Sequence, residues 1–172
     1  MMSFSSLRKY IVYAAALISM FSLMIFGSVF AFASSSSNVA ANVVVTSVCY
    51  TSPTPSSITF GTTSPNTNIP TNVLVTDQDV GGNIASYMFV SGTTWASGSN
   101  TFGISNTTWD ASSQSTYTGT HLSSTASNTA ILIPAPTIST STTSNNIYFG
   151  LAVPSATPPG TYTQTITIEN SC

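Results

Sequence analysis

The chain has 172 residues, of which 42% are hydrophobic, 10% aromatic and only 3% charged, against roughly 25% charged in an average soluble domain. Its two basic residues, Arg8 and Lys9, precede an apolar run, and its four acids, Asp77, Asp79, Asp110 and Glu169, follow it. This excludes intrinsic disorder, which goes with high charge and few aromatics. It also excludes nucleic acid as a partner, because holding phosphate requires Lys or Arg.

Residues 1–33 have the order of a membrane-targeting segment. Arg8-Lys9 stands before an apolar stretch from Ile11 to Ala33, broken only by Ser19, Ser22, Gly27 and Ser28. The stretch closes on Ala31-Phe32-Ala33 and then Ser34, the pattern of a signal peptide cut between Ala33 and Ser34. The run is also long enough to cross a bilayer. An uncleaved signal-anchor, holding the membrane through residues 11–33, is therefore the alternative. Either way Arg8 and Lys9 stay inside and the rest of the chain is placed outside the cytoplasm. Residues 34–42 follow as a flexible, Ser-rich segment.

Residues 43–172 read as one all-β domain of about seven to nine short strands. Val43 to Tyr50 is a run of β-formers. Thr51 to Ser57, with Pro53 and Pro55, reads as a connection. Ile58-Thr59-Phe60 and Val73-Leu74-Val75-Thr76 are strand candidates, and Asp79 to Asn83 is a turn leading into Ile84 to Val90. Thr101 to Ile104, Thr107 to Trp109 and a weaker Tyr117 to Leu122 follow, then Ala130 to Ile133, closed by Pro134 and Pro136.

Ile147, Phe149, Leu151 and Val153 recur at period two, as do Tyr162, Ile166 and Ile168 between threonines. Successive strand side chains face opposite ways, so the two runs predict a hairpin across the Pro154–Gly160 connection. Tyr162, at a strand start after Pro158-Pro159-Gly160, fits a tyrosine corner, whose hydroxyl bonds to upstream backbone. No helical periodicity occurs after Ala33.

Two stretches carry a resemblance: Ile58-Thr59-Phe60-Gly61 with Pro65, Ile84 to Gly92 and Trp95, and Gly150 to Pro154 with Pro159-Gly160-Thr161-Tyr162 to Ile168. Together they resemble the immunoglobulin-like β-sandwich domains of prokaryotic, especially archaeal, secreted surface and filament proteins. The resemblance covers roughly residues 43–172. It implies a surface-exposed antiparallel sandwich with no catalytic residue, in a group where some relatives polymerise by donating a terminal strand.

Cys49 and Cys172 are the only cysteines, and in an exported chain the pair predicts one disulfide. Asp77 and Asp79 with Gly81 and Gly82 faintly resemble a calcium loop. Gly81 and Met88 occupy the fifth and twelfth positions, where an EF-hand needs oxygen ligands, so the stretch reads as a solvated hairpin turn and no metal or cofactor is assigned. His121 is the sole histidine and lacks a nucleophile motif beside it. No catalytic residue is assigned and the chain is not read as an enzyme.

Asn106-Thr107-Thr108 is the one N-glycosylation sequon. The Ser/Thr tracts at 34–37 and 138–144 are candidates for O-glycans. Trp95 and Trp109 lie in polar stretches and are either core residues or platforms for stacking a sugar.

Sheet edges are ordinarily guarded by charge, especially Lys, and residues 10–172 contain no Lys or Arg. A near-neutral surface favours association. The expectation is a surface structural protein, a filament or envelope subunit, in which Asn38 to Val48 pairs with a neighbour's sheet edge. Two alternatives stand beside it. One is a monomeric module binding carbohydrate or another surface protein. The other is a type-IV-pilin-like subunit that keeps its apolar helix, although Tyr10 after Lys9 departs from the small residue that usually precedes the prepilin cut.

Overall fold

The computed structural model describes Tyr13, Ala15 and residues 40–138 and 141–172. Tyr13 and Ala15 are helical. The rest of the apolar segment, its Ala33–Ser34 cut site and the serine tract at 34–37 lie outside the described residues. The chain divides into two units, Met1–Val43 and Val44–Cys172, and the second is all β.

Among the described residues, ten strands build that unit: β1 (Ser52–Thr54), β2 (Thr67–Val80), β3 (Ser86–Gly92), β4 (Trp95–Ser97), β5 (Asn100–Phe102), β6 (Thr107–Asp110), β7 (Thr120–His121), β8 (Ser127–Ile133), β9 (Thr142–Val153) and β10 (Ile166–Ser171). A 3-10 turn, Ile104–Asn106, lies before β6. One sheet runs β1-β2-β9-β6-β7, a second β10-β3-β8, and β4-β5 form a small hairpin. All pairings are antiparallel.

The buried faces of the two larger sheets share one core. Val75, Trp109, Ile147 and Phe149 come from the first sheet, and Met88, Val90, Ile131 and Ile133 from the second. The period-two pattern of β9 is realised, with Ile147, Phe149 and Leu151 buried. Burying a side chain of this size contributes about 1.5–3 kcal/mol.

Several expectations are corrected. Val43 to Tyr50 is no strand: residues 40–47 are exposed and lack secondary structure. β propensity is local, whereas a strand needs a partner, and no described strand pairs with this stretch. The first strand is β1, inside the proline-containing stretch read as a connection. Pro53 is tolerated because β1 lies at the sheet edge. Ile58 and Phe60 sit in irregular chain, partly buried against the core.

β2 extends well beyond Val73–Thr76 in both directions, and Pro70 lies where its register with β9 shifts, between Ile69 and Val73, as suits a residue that cannot donate to a ladder. The predicted C-terminal hairpin does not form. β9 is flanked by β2 and β6, so both its edges are taken, and β10 crosses to the other sheet to pair with β3.

Candidate functional site

The most exposed apolar residues of the β unit lie at its start. Val44 and Val45 are 90% and 73% exposed, and Val43 before them is 84% exposed. Among the described residues, the hydrogen bonds that hold this segment begin at Thr46. Asn83, in the turn between β2 and β3, grips this root three ways. Its amide N–H donates to Val48 O (2.9 Å), its side-chain nitrogen donates to Thr46 O (2.7 Å), and its side-chain oxygen accepts from Val48 N (2.8 Å).

Two carboxylates continue the grip. Asp79 Oδ1 accepts from Tyr50 N (3.1 Å) and Gly82 N (3.0 Å), and Asp77 Oδ1 accepts from Ser52 N (2.9 Å). Asp77 and Asp79 are both fully buried on the inner face of β2. The solvated-turn reading of this pair is thereby overturned: β2 does not stop before Val80, so both acids inherit the inward parity of Val75. Burial pushes the Asp77 carboxyl above its ordinary range, partly offset by hydrogen bonding to Asn170 and Ser52.

The predicted disulfide joins Cys49 to Cys172, with Cα atoms 6.2 Å apart across a sequence separation of 123. A formed disulfide belongs to an oxidising compartment. It ties the root of the exposed segment to the end of β10. Asn170 reinforces the same junction, its backbone N–H donating to Thr51 Oγ1 (2.9 Å) and its side chain to Tyr50 O (2.7 Å).

β10 lies at the edge of its sheet, and among the described residues no strand pairs with its outer side. Beside it a cleft of about 430 Å³ opens between Val75 and Phe149 on one sheet and Ile166 and Ile168 on the other. A second cleft of about 740 Å³ is lined in part by Phe102, Leu151 and Val153. The two share Ile58, Phe60, Trp95 and Tyr162 as walls, so they adjoin as one groove whose lining mixes these apolar side chains with serines and threonines.

An aromatic row braces that groove. Phe60 meets Trp95 edge-on at 5.9 Å, Trp95 stacks on Phe102 at 5.5 Å, and Phe102 approaches Tyr162 at 5.1 Å. The Trp95 indole donates to Thr107 Oγ1 (2.8 Å), which donates to Gln164 Oε1 (2.8 Å), and Gln164 Nε2 donates to Thr93 O (2.7 Å). The Tyr162 hydroxyl donates to Pro158 O (3.0 Å), the upstream contact of a tyrosine corner.

Trp95 and Trp109 are each 8% exposed. Both are buried, on β4 and β6, and Trp95 also forms a wall of both clefts. The Asn106 side chain donates to Gly103 O (3.0 Å), and Thr108, the sequon's hydroxyl residue, is buried against Thr71 (2.9 Å).

His121 Nδ1 lies 2.6 Å from Ser105 O, while the Asp110 carboxylate accepts from Ser112. The chain's histidine and its nearest acid in sequence are thus engaged separately. The nearby Tyr117 hydroxyl donates to Asn106 O (3.0 Å), and burial pushes its phenol upward.

Sequence reasoning missed the gripping role of Asn83, Asp77, Asp79 and Asn170. Their partners are backbone atoms of a distant segment, and no spacing signals such a contact. No protein-family model, no curated protein and no solved structure matches this chain.

Proposed function

We propose that this chain is a non-catalytic structural protein of the cell surface, exported through its N-terminal segment, whose immunoglobulin-like sandwich assembles with other copies by β-strand pairing. The observation that carries this reading is the run Val43-Val44-Val45, β-forming and at least 73% exposed, in a molecule whose β10 has no strand on its outer side among the described residues and lies beside a groove walled in part by Ile166 and Ile168. Val43 to Val45 are exposed, and the residues just behind them are held by Asn83 and the disulfide. No lysine guards either partner.

In this reading, residues 38–45 of one copy lie along the outer edge of β10 in the next and place alternate valines over Ile166 and Ile168. The decisive experiment is negative-stain microscopy of the purified protein beside a variant lacking residues 34–45. Filaments from the full protein and monomers from the shortened one are expected. Filaments from both would overturn strand donation.

The groove beside Phe102 and Tyr162 favours one second reading, a monomeric module that takes a carbohydrate or protein ligand there. It predicts dispersed particles at every concentration. N-terminal sequencing separates both from the pilin-like reading: a start at Ser34 means a cleaved signal, and a start near Tyr10 means a retained apolar helix.

A further inference from the structure

Six buried side-chain polar atoms lack a hydrogen-bond partner among the described residues, and five of them are oxygens: Asp77 Oδ2, Asp79 Oδ2, Ser86 Oγ, Thr143 Oγ1 and Asn170 Oδ1. All five belong to one end of the molecule. Asp77 and Asp79 share the inner face of β2, and Thr143 stands directly opposite Asp79 on β9. Ser86 opens β3 on the inner face that also carries Met88 and Val90. Asn170 pairs with Met88, which makes it a diagonal neighbour of Ser86.

The short connection from Val80 to Ser86 keeps the end of β2 and the start of β3 together. The Asn170 side chain donates to Tyr50 O, and the Tyr50 N–H donates to Asp79, so one residue of the chain links β10 to the acids of β2. Ser86 is independent of the acids: it comes from the opposite sheet, is 0% exposed, and its hydroxyl has no other use.

Two fully buried carboxylates must be neutralised by a proton or by a counter-charge, and residues 10–172 contain no Lys or Arg to supply the latter. Both cysteines are in the disulfide and the one histidine is on β7, so nothing here suits a soft metal. We infer that this end of the molecule is a binding site for one calcium ion, held by Asp77, Asp79, Ser86, Thr143 and Asn170 between the two sheets. A set of carboxylate, amide and hydroxyl oxygens with water completing the shell matches the six to eight oxygen ligands that calcium takes. The ion answers both unpaired carboxylate oxygens at once. Because the other oxygens of Asp77 and Asp79 hold Ser52 and Tyr50, it also stiffens the root of the exposed segment.

The test uses the full protein, stripped with EDTA and titrated with calcium chloride by calorimetry, with melting curves in EDTA, calcium and magnesium. One calcium per chain is expected, with a melting temperature that climbs with the logarithm of free calcium and responds less to magnesium. Ser86→Ala should weaken calcium binding about tenfold, roughly 1.4 kcal/mol, while leaving the folded strand signal intact. Asp79→Asn should abolish binding. If that variant fails to fold, Ser86→Ala and the wild-type stoichiometry still decide. Identical melting in EDTA and calcium with no heat of binding would overturn the site, as would calcium binding unchanged in Ser86→Ala.

Discussion

Thr71 lies so close to Gly150 that a methyl group added to the glycine would come within 2.5 Å of Thr71 Oγ1 and 2.9 Å of its Cα. Thr108 Oγ1 closes the third side at 3.0 Å. β2, β9 and β6 meet here around a buried pair of threonine hydroxyls. Gly150→Ala should therefore destabilise the domain by about 1–3 kcal/mol through overpacking. Urea denaturation followed by circular dichroism measures it. An unchanged midpoint would mean that the strands separate freely at this crossing.

The Cys49–Cys172 loop is long, with a separation of 123 residues. On the chain-entropy account, closing it stabilises the fold by up to about 5 kcal/mol. The Cys49→Ser, Cys172→Ser double variant should melt well below the oxidised protein. A reductant should lower the melting of the wild type and leave the variant unaffected. Equal melting of both proteins without reductant would show that the bond is absent or inconsequential.

Asp77 supplies a pH dependence whose sign is opposite to ordinary acid denaturation. Its carboxyl is raised in the folded state, chiefly because burial disfavours the charge. The folded protein thus holds this proton more tightly than the unfolded chain. The associated stability is complete below the unfolded pKa and is lost as pH rises through the folded one. In EDTA, lowering the pH from neutral should raise the urea midpoint, and Asp77→Asn should flatten that rise. Cooperative loss of strand signal between about pH 5 and 3, where carboxylates ordinarily titrate, would contradict this.

With Trp95 and Trp109 each only 8% exposed, native tryptophan fluorescence should be blue-shifted and resist quenching by iodide. Trp95→Phe removes the indole bond to Thr107 and leaves a buried hydroxyl short of a donor. A loss of about 1–3 kcal/mol is expected, read from the urea midpoint. Strong iodide quenching in the native state would instead return the tryptophans to the surface.

A synthetic peptide spanning residues 38–48 should compete for the acceptor edge. Added in excess during assembly, it is expected to shorten filaments. The same peptide with Val43, Val44 and Val45 replaced by Asp should have no effect. Unaltered filament length with the natural peptide would argue against strand donation.

The sequence disclosed strands more readily than their partners. Alternation in Ile147–Val153 marked β9 because both sheet faces are chemically distinct there. Ile166 and Ile168 alternate too, yet they pair across the molecule with β3, since alternation records which face is buried and not which strand is adjacent. β2 was under-read because Pro70, Asn72 and Asp77 are poor strand formers, and its long ladder with β9 overrides them. The valines at 43–45 have strong β propensity and no partner among the described strands. That mismatch between local preference and tertiary context is the main clue to function. The disulfide was legible from two cysteines alone. The cluster around Asp79 and Ser86 was not, because it draws on four strands whose adjacency only the fold creates.

The link from Cys49 to Cys172 also has a mechanical meaning. In a fibre made by strand donation, tension enters one subunit through its exposed N-terminal segment and leaves through β10, which holds the next. The disulfide joins those two points directly. Force then runs from segment to sulfur bridge to β10, and the hundred-odd residues between Cys49 and β10 carry almost none of it. Tensile strength becomes a property of strand ladders pulled in shear and of covalent sulfur, largely independent of how tightly each domain's core is folded.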